Sequence, residues 1–180
     1  SYQNIEFTVD GITAQAFMGA EEMTSIKFNC VLTSIPERAM FSCKKLTSLE
    51  IPTTVTSIES KAFEQCQALT TLTLPQGLLN IGSRAFYYCM AIESLNIPST
   101  VTTIGDYAFA YCEALKTIEF PEIIIAIPAN VCYSNDALES VKLGSKVESI
   151  GANAFQSCTS LKVIELPNTL TTIGNYVLAS

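Results

Sequence analysis

The seven cysteines are the side chains of this chain best equipped to hold a metal, cross-link or attack an electrophile. Cys43, Cys66, Cys89 and Cys112 follow one another at a constant step of 23 residues, and Cys158 stands two steps further on. Cys30 and Cys132 fall elsewhere within that step. Metal-type C-x-x-C pairs are absent. Stacked at strand spacing, about 4.8 Å, neighbouring Cβ atoms lie beyond the roughly 3.5–4.5 Å that a disulfide prefers. The spacing predicts a column of buried free thiols that behave as small apolar side chains.

Histidine is absent, which excludes Ser-His-Asp and Cys-His catalysis and every imidazole-held zinc or iron site. The carboxylates interleave with lysines at the same step: Glu93, Lys116, Glu139 and Lys162 in one column, Glu119, Lys142 and Glu165 in another. Opposite charges should therefore stack on a solvated, mixed-charge face that a protein partner could match. Glycoside hydrolysis would need two acids flanking a cleft, one with a raised pKa, and this interleaving does not supply them. No catalytic residue, cofactor or metal is expected, and the chain reads as a non-enzyme. Tyrosines gather at the same step: Tyr87, Tyr88, Tyr107, Tyr111, Tyr133 and Tyr176. Tyrosine joins contact area to a polar tip and is enriched at interfaces.

All these residues belong to one repeat. With Ala16 as column one, the chain runs in steps of 23 to Ser180 without a gap. Column one is Ala16, Ala39, Ala62, Ala85, Ala108, Val131, Ala154, Val177, and column two holds Phe17, Met40, Phe63, Phe86, Phe109, Cys132, Phe155, Leu178. Column twenty is isoleucine in all seven complete copies. A gap-free period between about 20 and 50 residues predicts a stacked solenoid. Columns eleven and thirteen are apolar between polar neighbours, as in "TLTLP" (residues 71–75), which is the period of a strand with one face inward. Proline at column fourteen (Pro52, Pro75, Pro98, Pro121, Pro167) ends that strand. Columns seventeen and twenty place a returning segment, "VTTIG" (residues 101–105). Gly82, Gly105, Gly151 and Gly174 then read as a corner requiring positive φ. Ala-Phe turns inward, and each coil is expected to close through a helical or 3₁₀ turn. The fold class is an α/β repeat solenoid of about seven 23-residue coils with short parallel strands in register.

The chain is short enough for one domain, and 48% of its residues are hydrophobic, enough to fill a core. Residues 1–15 do not fit the register and read as a capping strand or hairpin before a solenoid of residues 16–180. The longest aliphatic run, residues 123–127, falls far short of a membrane span of about 18 residues. The net charge is −7, and the ten basic residues form no cluster along the chain, which argues against nucleic acid and anionic membrane surfaces. In one coil Ile123 and Ile125 replace the usual Thr or Ser and should point outward, and Pro128 replaces glycine. Tyr87, Tyr88, Tyr111, Tyr133, Ile123 and Ile125 are the candidate partner-binding residues. The last copy stops four residues in, without a polar cap. It should therefore be followed by further repeats or be covered, as by end-to-end self-association.

The pattern L-x-x-L-x-L-P-x-x-V-x-x-I-G-x-x-A-F-x-x-C, carried by "LTTLTLPQGLLNIGSRAFYYC" (residues 69–89), resembles the BspA-like leucine-rich repeats, the 23-residue class also seen in Treponema surface proteins. "LKTIEFPEIIIAIPANVCYSN" (residues 115–135) is a poor copy of it. The resemblance implies a parallel-sheet solenoid on a microbial cell surface or secreted. It also implies adhesion or contact with a host extracellular-matrix or cell-surface protein. A spacer holding another domain and a carbohydrate-binding surface are the alternatives.

Overall fold

The computed structural model describes residues 11–28 and 30–179. The proposed cap therefore falls largely outside the described residues. Strands are numbered in chain order. One set comprises β1 (Ser25–Ile26), β3 (Ser48–Glu50), β5 (Thr71–Thr73), β8 (Thr117–Glu119), β10 (Ser140–Lys142) and β12 (Val163–Glu165). The other comprises β2 (Ser34–Ile35), β4 (Ser57–Ile58), β6 (Asn80–Ile81), β7 (Thr103–Ile104), β9 (Ala126–Ile127), β11 (Ser149–Ile150) and β13 (Thr172–Ile173). Every pairing is parallel, and every pair of partners is 23 residues apart, as in Leu49↔Leu72, Val141↔Ile164 and Ile58↔Ile81. The chain is therefore a spring whose coils stack one repeat on the next.

Between the two strand sets the apolar columns meet in a continuous core. Phe63, Phe86 and Phe109 pile along one line, with centroids 5.3 and 5.9 Å apart and planes 8° from parallel. Cys132 interrupts this pile. In the same stretch column thirteen carries the bulkier Phe120, whose buried ring comes within 6.3 Å of Phe155 and restores the lost volume.

The corner after the second strand is not helical, contrary to the sequence expectation. Two residues per coil are left-handed, at columns twenty-three and four: Arg38 (φ 53°) and Ser42 (61°), Arg84 (56°) and Tyr88 (60°), Tyr107 (59°) and Tyr111 (58°). Each is the third residue of a tight turn: Ala39 N–H donates to Pro36 O at 3.1 Å and Cys43 N–H to Met40 O at 3.2 Å. The N–H groups between them point to the next coil instead, Arg38 to Ser60 O (3.2 Å), Met40 to Ala62 O (2.8 Å) and Ser42 to Glu64 O (2.8 Å). A helix would turn these donors back on its own coil. The left-handed residues free them to tie coils together, and that satisfies the backbone.

The column-twenty-one glycines serve another purpose than the expected positive φ, which among the described glycines only Gly19 shows (73°). At Gly105 a Cβ would lie 2.4 Å from the backbone nitrogen of Ser83 in the preceding coil. The side chain is missing because two backbones touch there. Gly105→Ala must push two coils apart, and a loss of about 1–3 kcal/mol is expected in guanidinium unfolding. A neutral result would mean that the contact relaxes freely.

Both ladders are interrupted in the middle of the chain. Residues 94–97 occupy the place of a strand between β5 and β8 yet make no backbone hydrogen bond. On the other side β7 and β9 do not pair. At Glu59, Gly82, Gly105, Gly151 and Gly174 the column-twenty-one N–H donates to the preceding isoleucine carbonyl, as Gly105 does to Ile81 O (2.8 Å) and Gly151 to Ile127 O (2.8 Å). Pro128 has no N–H to give.

Candidate functional site

The thiols lie inside, as expected. All seven cysteines are free; Cys30 is half-buried and the other six are buried. Each column-five thiol donates to the column-two carbonyl of the preceding coil, as Cys66 does to Met40 O and Cys89 to Phe63 O, both at 3.2 Å. Asn135 stands in column five between Cys112 and Cys158 and reproduces the bond, donating Nδ2–H to Phe109 O (3.0 Å) and accepting from Cys112 N–H (2.8 Å). It is completely buried and each of its side-chain polar atoms has a partner, so it continues the ladder. Burial pushes Cys43 and Cys158 up to about 11 and Cys112 to about 12, and raises Cys66, Cys89 and Cys132 well above the ordinary thiol range. Such thiols are poor nucleophiles. Among the described residues, no group of three or more cysteine or acidic side chains is placed to hold a metal ion. A disulfide-exchange reagent at pH 8 should titrate one thiol, Cys30, in the native protein and seven in denaturant. Fewer than seven would reveal a disulfide.

The mixed-charge face carries the predicted pairs. Lys116 and Lys162 reach Glu93 and Glu139 at 3.1 Å, and Lys142 pairs with Glu119. All these side chains are well exposed, so each pair contributes no more than about 1 kcal/mol. A shallow groove of about 490 Å³ crosses this face beside the ladder gap, lined by Leu95, Asn96, Thr117, Glu119, Lys142 and Val163 among others. Its polar groups lack a convergent acid–base pair.

The tyrosines form the most developed surface. Columns three, four and twenty-three share the left-handed corner, so residues far apart in sequence meet there. Tyr88 and Tyr111 stack at 4.3 Å and 11°, and Tyr87 sets its ring edge-on to both, at 4.9 and 5.3 Å. Tyr107 lies 6.1 Å from Tyr87, and Tyr133 5.5 Å from Tyr111. Burial, then the neighbouring tyrosines, raises the hydroxyl pKa of both Tyr87 and Tyr111, which keeps them protonated donors. Tyr88, Tyr107 and Tyr111 hold positive φ, a conformation costly for bulky residues. Tyr176 stands apart from the cluster, 68% exposed. Ile123 (47% exposed) and Ile125 (55%) do point outward, but they flank β9 and not the corner. The tyrosines therefore form one surface and the isoleucines another.

Four residues at this corner escaped the sequence reading. Arg84 lies over the rings of Tyr87 and Tyr107, its guanidinium carbon 5.5 and 5.2 Å from their centroids. Arg38, Lys61 and Arg84 occupy column twenty-three of consecutive coils, so the fold gathers a basic row that the linear sequence disperses. Glu64, 7% exposed, sits beside the row with Oε2 lacking any hydrogen-bond partner. Burial raises its pKa, against the pull of Lys61, Arg84 and Arg38. The signal was present in the register: column twenty-three reads Arg, Lys, Arg, Tyr from residue 38 to residue 107.

Parallel strands stacked at a constant 23-residue step, closed by turns around a leucine-rich core, define a leucine-rich repeat solenoid. The chain belongs to the BspA-type leucine-rich repeat family, whose profile matches in six copies over residues 1–102 and 79–180. It is 33% identical to a leucine-rich repeat protein from Bacteroides ovatus, over 97% of this chain and 45% of that one, with a TM-score of 0.89. A leucine-rich cell surface protein from Faecalibacterium prausnitzii is 29% identical over 95% of this chain and 45% of its own, with a TM-score of 0.74. The T. pallidum leucine-rich repeat protein shares the fold at 24% identity and a TM-score of 0.81, over 92% of this chain and 78% of its own. This chain thus spans less than half the length of the first two proteins. No curated protein matches it. Among the described residues no helix is long and apolar enough to cross a membrane.

Proposed function

We propose that the chain is a non-enzymatic recognition module of a cell-surface or secreted protein, and that it binds a protein partner through its tyrosine corner. The observation that carries this reading is the cluster of Tyr87, Tyr88, Tyr107, Tyr111 and Tyr133, built partly on strained backbone. Side chains that only covered a corner would not need bulky rings at left-handed positions, where Ser42, Ser134 and Asn130 serve in other coils. Family membership and the likeness to a cell surface protein support the location and an adhesive role. Extracellular-matrix and host cell-surface proteins are the partner class. Ile123 and Ile125 form a second contact patch.

Replacing Tyr88 and Tyr111 together by Ser should weaken binding to an immobilised extracellular-matrix protein by about tenfold or more, or about 1.4 kcal/mol. The melting temperature should move little, because serine suits the left-handed backbone and offsets the lost ring packing. Unchanged binding would remove the corner from the interface. Absence of binding by the wild type to every matrix protein tried would favour a spacer.

A further inference from the structure

The lysine ion pairs of this solenoid follow one rule: a lysine meets an acid of the preceding coil. Lys44 pairs with Glu21 (2.7 Å), Lys45 with Glu22 (2.8 Å), Lys116 with Glu93, Lys142 with Glu119 and Lys162 with Glu139. The row at column twenty-three breaks the rule. Among the described residues neither Lys61 nor Arg84 has an acid within 4.0 Å, and Arg38 reaches only its own neighbour, Glu37, at 3.8 Å. Glu64 lies close enough to feel all three cations but hydrogen-bonds none of them. Two carboxylates, Glu37 and Glu64, among three cations leave one positive charge in excess at this corner, on a chain of net charge −7.

The backbone makes the row a costly choice. Arg38, Lys61 and Arg84 are left-handed, at φ 53°, 60° and 56°, where Asn130 and Asn153 serve the later coils. Asparagine tolerates that conformation better than arginine or lysine does, and strain of this kind gathers at binding sites. Arg84 is also fixed, its guanidinium held against Tyr87 and Tyr107, so its fork is presented in one orientation.

We propose that Arg38, Lys61 and Arg84, together with the adjoining tyrosine corner, bind a linear acidic polysaccharide. The coils carrying the row are hydrogen-bonded in sequence, Arg38 N–H to Ser60 O and Lys61 N–H to Ser83 O. The cations therefore repeat at the coil step of about 4.8 Å. A sugar unit advances by about one coil step, and rotation about the glycosidic bonds lets successive acidic sugars turn their carboxylates or sulfates towards the row. An extended acidic peptide presents same-side acids about 6.7 Å apart and falls out of step. Nucleic acid brings a denser charge than three cations on an acidic protein can hold. Base stacking also needs open aromatic faces, and here the rings are turned on one another and on Arg84. This assignment shares the tyrosine corner with the protein-binding reading and adds the basic row, which that reading does not use.

The test is isothermal titration of the protein with oligogalacturonate and with heparin oligosaccharides, against neutral dextran, poly-glutamate and oligothymidylate. At least one acidic saccharide should bind, with log K falling against log salt at a slope of about −2 to −3. The double variant Lys61→Gln with Arg84→Gln should lose about tenfold or more in affinity, Lys61→Arg should keep it, and Glu64→Gln should equal or exceed the wild type. If the double variant loses its cooperative melt, Lys61→Gln alone, whose side chain holds no ring in place, carries the comparison. Failure of both acidic saccharides to bind overturns the proposal, as does equal binding of poly-glutamate or oligothymidylate, or wild-type affinity in the lysine variant. Matrix-protein binding lost in the Tyr88→Ser, Tyr111→Ser variant but kept in the Lys61→Gln, Arg84→Gln variant would leave the protein reading standing by itself.

Discussion

Taken from pH 9 towards pH 11 under reducing conditions, the protein is expected to unfold steeply and to refold on return to pH 8. The cause is the thiol ladder. Cys66, Cys89, Cys112 and Cys132 have pKa values raised by burial far above the ordinary thiol value of 9.0. Above pH 9 the unfolded chain gives up these protons while the folded one keeps them. The unfolded state is therefore favoured as pH rises, and the stability present below pH 9 is lost above it. Once the unfolded thiols are ionised each contributes about 1.4 kcal/mol per pH unit, so the four together contribute about 5. Two units at that slope remove about 10 kcal/mol, which exhausts all but the upper part of the about 5–15 kcal/mol range of domain stabilities. Tyr87 and Tyr111, also raised, add in the same direction above pH 10. Guanidinium titrations read by circular dichroism at half-unit steps give the slope directly. Stability that stayed flat to pH 11 would show that the thiols ionise without unfolding the coils.

Phe86→Ala is the point substitution expected to cost most, about 3–5 kcal/mol. The ring is fully buried and stacked on both sides, against Phe63 and Phe109. Its removal opens a hole that neither neighbouring coil can fill without bending its own ladder. For a chain of this size the melting temperature should fall by about 6–20 °C. In a solenoid stability accumulates from nearest-neighbour interfaces, and Phe86 belongs to two of them. A loss below about 2 kcal/mol would mean that the coils close over the gap.

What could be read from the chain alone followed from its strongest constraint. A coil that must superimpose on its neighbour must repeat the residues that touch, so Phe63, Phe86 and Phe109 declared their stack, and the thiols and ion pairs declared their columns. The same logic brought Tyr88 and Tyr111 together. Left-handed backbone, by contrast, leaves no sure mark when arginine, tyrosine or serine accepts the strain in place of glycine. From sequence alone the corner therefore reads as a helical turn. The glycines mislead for the complementary reason: Gly105 lacks a side chain because the Ser83 backbone of the preceding coil would meet its Cβ, and sequence does not show that approach. The basic row was missed because a count along the chain finds no cluster where the fold makes one. Glu64 gave no sign of its burial, since its column otherwise holds tyrosine, methionine and other types.

The two interrupted ladders bear on how the rod carries load. Residues 94–97 and Pro128 divide the strand hydrogen bonding into two blocks. What crosses the divide is the core, the bonds from Ala114 N–H to Met90 O (3.1 Å) and Lys116 N–H to Glu93 O (3.2 Å), and the corner ladder, where Tyr88 N–H still donates to Ala110 O (3.0 Å) and Tyr111 N–H to Tyr133 O (2.8 Å). Under tension along its axis such a spring gives way first at its middle, and the tyrosine corner is the seam that holds it. A ligand seated on that seam would stiffen the rod where it is weakest, so that attachment and resistance to shear come from the same few side chains.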